Sequence, residues 1–198
     1  AYPLWLAYKG VTGDVLLISY SEEQVKTNIM NKINETIMNN DYLTHLRPTP
    51  SRQWGAQLKS FPSGLTIRGE SFGSSVRGAH PIYLNVDDPL KDKGGMSPEE
   101  QYNFYQTALM GTVTRDTLVV TDGTPLDNGD LLEQLETNTS YISRKFPAEN
   151  EERTAALFPE LFTLEELRAI EKEVGSFAYS RERLLQRIDP KSQTFADK

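Results

Sequence analysis

Three short apolar runs set the strongest limit on how this chain can fold. DVLLISYS occupies residues 14–21, PIYLNV 81–86 and DTLVVT 116–121. A continuous apolar run of this length suits a strand buried on both faces, the usual situation in a parallel sheet. Helical patterns separate the runs. Ser21 caps a helix with Glu22 and Glu23 in its first turn, and Val25, Ile29, Ile33 and Ile37 recur at every fourth position until Asn39 and Asn40. Ser97, followed by Pro98 at the first helical position and by Glu99 and Glu100, opens a second helix over SPEEQYNFYQTALMG. Strands alternating with helices predict an α/β fold built on a mainly parallel sheet flanked by helices.

The remaining segments fill in that plan. AYPLWLAYKG reads as the tail of an apolar helix stopped by Gly10 and Gly13. WGAQLKSF and GLTIRGE, joined through Pro62, Ser63 and Gly64, predict a hairpin, and SFGSSVRG predicts an ordered loop. A short helix is expected near 131–135 and a further strand near 141–146. The texture then changes. TLEELRAIEKEVG, capped by Thr163, and SFAYSRERLLQRI read as two charged amphipathic helices. The expected division is a core over 1–146 and a helical lid or linker over 147–198.

Composition removes several classes of function. The 198 residues include no cysteine and only two histidines, His45 and His80, so disulfides, cysteine metal sites and a Ser-His-Asp triad drop out. No apolar run approaches the ~20 residues of a membrane-spanning helix. A net charge of −7 argues against a domain coated in positive charge, although not against a local basic strip. His80 is expected to be a structural loop residue, and Trp5 and Trp54 are expected in the core. The chain begins at Ala1 without an initiating Met, which suggests a start inside a longer polypeptide.

Asp87 and Asp88 close the run PIYLNV, where two adjacent negative charges repel and acids are uncommon. In open parallel sheets, ligands bind outside the carboxyl ends of the strands. One reading is the start of a solvated loop. The other is nucleoside triphosphate hydrolysis: one carboxylate holds Mg²⁺, directly or through its water, and the second orients or deprotonates an attacking water.

VRGAHPIYLNVDDPLKD resembles the Walker B region of the large terminase subunits of tailed bacteriophages, the ATPases that package DNA into capsids. VVTDGTPLDNGDLL is similar to the coupling motif of that family. DVLLISYSEEQ is similar to its strand and helix after the phosphate-binding loop, and LFPELFTLEELRAIEKEVGSFAYSRERLLQRIDP to its segment leading towards the nuclease. The resemblance covers nearly the whole chain and implies a RecA-like P-loop NTPase core of the ASCE type. It implies that Asp87 coordinates Mg²⁺ through water and that Asp88 is the catalytic carboxylate. It further implies that Arg77 acts in trans on a neighbour's ATP and that Thr124 couples the γ-phosphate to the DNA-handling parts. Implied with these are ATP and Mg²⁺ as cofactors, and double-stranded DNA, a portal protein and a small terminase subunit as partners. A homo-oligomeric ring in the host cytoplasm is implied as the working form. Blander roles stay open: Arg77 paired with Glu70 or Asp92, Thr124 as a turn residue before Pro125, and Lys91 and Lys93 in a solvated loop instead of on DNA.

The chain departs from the family in two ways. No Gly-Lys-Ser/Thr occurs, and KGVTGD precedes a strand where a phosphate-binding loop would precede a helix. The sequence also ends before any nuclease carboxylates. The expectation is a middle fragment, without ATP hydrolysis of its own. Two rivals stand beside it: a helicase-like ATPase of another branch, and a non-catalytic α/β interaction module without a phosphate loop.

Overall fold

The computed structural model describes residues 1–90, 95–126 and 128–186. Contacts between residues divide the chain into two compact units, one formed by 1–89 with 103–123 and the other by 90–102 with 124–198.

The first unit is a five-stranded sheet in the order β2-β3-β1-β4-β5. β1 (Gly13–Ser19), β3 (Leu65–Ser71), β4 (Pro81–Asp87) and β5 (Leu118–Asp122) run parallel. The short β2 (Leu58–Ser60) pairs antiparallel with β3 and forms the expected hairpin, whose turn uses Gly64 at φ +87°. The expectation of a mainly parallel sheet flanked by helices holds. The expected helix at the start is α1 (Tyr2–Tyr8).

Helix packing explains where the core sits. Ser21 Oγ accepts from the Gln24 N–H and caps α2 (Glu22–Gln24). The chain then makes a π-helical stretch over Val25–Met30 before returning to α3 (Asn31–Met38). This π stretch alters the expected stripe. Val25 and Met30 are both fully buried while Ile29 is only half-buried, because the wider turn brings residues five apart onto one face. Both residues press on Gly69 of β3, where a Cβ would come within 2.3 Å of a Val25 methyl. Val15, Leu17, Ile67 and Tyr83 line that face of the sheet and join one apolar cluster with Leu6, Ile33 and Ile37. Leu16, Ile18, Leu84 and Val86 are buried on the opposite face. α4 (Pro98–Phe104) passes into a π-helical stretch, Tyr105–Leu109, whose Tyr105 hydroxyl lies 2.9 Å from Thr121 Oγ1.

Three expectations fail. Residues 141–146 form no strand: Ile142 is 90% exposed and no neighbouring strand supplies a ladder. β5 is not buried on both faces, since Leu118 and Val120 are exposed on an edge strand. Trp5 is 51% exposed and stacks on Tyr2 instead of entering the core. Trp54, half-buried, does pack against the apolar cluster.

In the second unit, buried Asp130 caps α5 (Leu131–Thr137) by accepting from the Glu133 N–H at 2.9 Å and from the Leu126 N–H at 2.8 Å. A capping box between Thr163 and Glu166 starts α6 (Leu164–Val174), and Gly175, at φ +85°, leads into α7 (Ser176–Glu182). Glu149 organises this region. Its side chain is buried and accepts two 2.7 Å bonds from Arg168, one from the Tyr179 hydroxyl and longer contacts from Arg153. Among the described residues no helix is long and apolar enough to cross a membrane.

Candidate nucleotide site

Parallel register brings the polar ends of four strands into one row. Ser19 pairs with Ser71, and Asp87 with Asp122. Ser19 and Asp87 each lie one residue beyond the Ile18–Val86 pair. Register partners in parallel strands project to the same face, so Ser71, Ser19, Asp87 and Asp122 cross the carboxyl end of the sheet side by side. Sequence reasoning singled out Asp87 and Asp88 here but missed Asp122. The only signal was its place directly after the apolar run 117–121.

Asp88 ends the strand abruptly. Its φ of +47° lies in the left-handed region, which Asp tolerates better than most residues. Its N–H donates to the Asp122 carbonyl at 2.8 Å, so the ladder extends one bond past β4 before the chain turns away. Non-glycine residues in this conformation concentrate at functional sites.

The electrostatics of the row are unbalanced. Burial pushes the Asp87 carboxyl up to about 6, aided by its hydrogen bond to Asp122 and by the negative fields of Asp122 and Asp88. Asn85, also missed from sequence, donates from Nδ2 to Asp122 Oδ1 at 2.8 Å and so orients that carboxylate. Burial and the neighbouring Asp122 also raise the Tyr83 phenol. Ser19 Oγ is buried without a hydrogen-bond partner among the described residues. Orphaned buried hydroxyls are rare in folded proteins and call for a specific reason.

This donor set, carboxylates, a hydroxyl and an amide, fits a hard oxygen-seeking cation such as Mg²⁺. Among the described residues no three His, Asp or Glu side chains are arranged to hold a metal by themselves. Mg²⁺ commonly takes only one or two protein carboxylates and completes its shell with water and phosphate oxygens.

The row itself includes neither Arg77 nor Thr124. Arg77 is exposed in the loop before β4 and forms no ion pair with a described residue; Glu70, its suggested partner, accepts from Ser74 Oγ instead. His80 is an exposed loop residue. Thr124 is half-buried, two positions after Asp122, and belongs to the second unit. Asp92, Lys91 and Lys93 fall outside the described residues.

No protein-family model matches this chain, and no curated protein does. Among solved structures, the crystal structure of the large terminase of bacteriophage HK97 is similar, with a TM-score of 0.58 at 18% identity. The match covers 88% of this chain and 40% of that one, so the chain spans well under half of the protein it resembles. The fold expected from the sequence motifs is thus borne out: this chain has the RecA-like α/β fold found in that large terminase.

Proposed function

We propose that this chain is the ATPase region of a viral DNA-packaging motor, coupling ATP hydrolysis to translocation of double-stranded DNA into a capsid. The observation that carries the reading is the row of carboxylates at the ends of adjacent parallel strands, on a sheet similar to that of a phage large terminase. Asp87 would hold Mg²⁺, whose charge, when it is bound with ATP, would offset that of the phosphates. Asn85 keeps Asp122 turned towards Asp87 and sustains the negative field there. Asp88 orients the attacking water and accepts its proton. Arg77, exposed and without an ion-pair partner among the described residues, reaches outward to neutralise phosphoryl charge on a neighbouring subunit. Thr124 carries the change beyond β5.

The phosphate-binding loop and the nuclease would be supplied by other parts of a longer polypeptide, so the 198 residues alone hydrolyse no ATP. The partners in this reading are double-stranded DNA, a portal protein and a small terminase subunit, in a homo-oligomeric ring working in the host cytoplasm. The test is ATP hydrolysis by the full-length polypeptide, wild type against Asp88→Asn and Arg77→Ala. Each variant should be inactive alone, and mixed rings should recover part of the activity. Full activity in Asp88→Asn would remove Asp88 from the catalytic role, and no hydrolysis by the wild type would leave a non-catalytic α/β module as the better description.

A further inference from the structure

At the opposite edge of the sheet from Asp122, the π-helical stretch and α3 meet the loop before β2 around a cleft of about 380 Å³. Lys26, Thr27, Asn31, Asn34, Trp54 and Lys59 supply its polar lining, and no carboxylate lines it, although Lys26 pairs with Glu22 and Asn31 donates to Glu35 outside the cleft. That is notable in a chain with 28 acidic residues against 21 basic ones. Lys59 is the unusual member. It lies on the edge strand β2, where a lysine normally projects into solvent, yet it is only 3% exposed. Its ammonium donates to the Gly55 carbonyl at 2.9 Å and sits 5.1 Å above the Trp54 ring. One carbonyl and one ring face leave part of its three-donor capacity unused. Trp54 Nε1 donates to Asn34 Oδ1 at 2.9 Å, which uses the acceptor of that amide and leaves the Nδ2 donors facing no described partner. Desolvation lowers the Lys59 pKa, as expected for a buried cation without a counter-ion.

We propose that this cleft is a binding site for a phosphoryl oxyanion, with Lys59 and Asn34 as its donors and Trp54 as its wall. A tetrahedral oxyanion accepts several convergent N–H bonds and brings the negative charge that buried Lys59 lacks. The same chemistry is offered by free phosphate and by the phosphodiester backbone of a nucleic acid. The cleft size lies within the range of small-ligand sites. It stands at the far edge of the sheet from the carboxylate row, so it is separate from the proposed hydrolytic site.

The chain has two tryptophans, so Trp5→Phe leaves Trp54 as the sole reporter. The 198-residue protein carrying that change should be titrated with inorganic phosphate and with a short DNA duplex, against chloride at matched ionic strength. Saturable change in Trp54 emission is expected. Response to phosphate alone, to duplex alone, or to both supports the site and identifies its source. Lys59→Met should weaken binding about tenfold or more. Asn34→Asp keeps the acceptor for Trp54 while replacing the donors with negative charge, so it should bind least even if Lys59→Met disturbs folding. No response to either probe, or a response unchanged in both variants, overturns the proposal.

Discussion

Two carboxylates in this protein, buried Glu149 and half-buried Asp87, have opposite surroundings. Glu149 accepts from Arg168, Tyr179 and Arg153, and Arg168 above all pulls its carboxyl down to about 2. Asp87 faces Asp122 and Asp88, and burial together with those acids pushes it up to about 6. The same functional group is a satisfied ion in one region and a frustrated one in the other. A carboxylate surrounded by donors stabilises its fold and has little left to offer a ligand. A carboxylate held among other acids costs stability, and a fold retains such a cost where chemistry needs it.

The largest effect is expected at Glu149. Glu149→Gln keeps the volume but leaves Arg168 and Arg153 without their buried counter-charge. After allowance for the partial exposure of both arginines, the loss should be about 3 kcal/mol in urea unfolding. A loss below about 1 kcal/mol would mean that the network is ornamental. Gly69→Ala is a control for packing without charge. The new methyl meets Val25 and Met30 and should cost about 2 kcal/mol, equally at every pH. Asp87→Asn should do the reverse and stabilise by on the order of 1 kcal/mol at pH 7.

The pH windows separate the two carboxylates further. Asp87 has a raised folded pKa, so its form of the fold is strongest below the ordinary carboxylate range near 4 and weakens as pH rises through about 6. The gain from Asp87→Asn should therefore be present above pH 6 and absent below pH 4. Glu149 has a lowered folded pKa, so its contribution is complete above about 4.5 and fades as pH falls towards 2. Urea unfolding of wild type and both variants between pH 2 and pH 8 measures both windows. Parallel curves would remove the contrast.

Sequence reading recovered the sheet more fully than the site. β1 and β4 are central strands, and their continuous apolar runs announced burial on both faces. The capping residues Ser21, Ser97 and Thr163 act locally, and each accepts the backbone N–H expected of it. Features set by distant partners were hidden. Nothing local distinguishes Met30 from Ile29 until a π turn selects which side chain meets Gly69. Residues 141–146 have strand-like composition, but no neighbour offers them a ladder. Asp122 joins Asp87 only through the β4–β5 register, and the orphaned hydroxyl of Ser19 emerges only when β1 is packed between β3 and β4. Glu149 looked like one acid in the charged run AENEER; its burial depends on Arg168 and Tyr179, far along the chain.

The most direct test of the contrast between site and scaffold is ATP hydrolysis per folded molecule of the full-length polypeptide, measured for Asp88→Asn and Glu149→Gln. Asp88→Asn should keep wild-type stability within about 1 kcal/mol and lose roughly 10²–10⁴-fold in turnover. Glu149→Gln should lose stability and, once corrected for its folded fraction, turn over at the wild-type rate. Retained turnover in Asp88→Asn, or a selective catalytic loss in Glu149→Gln, would contradict the account.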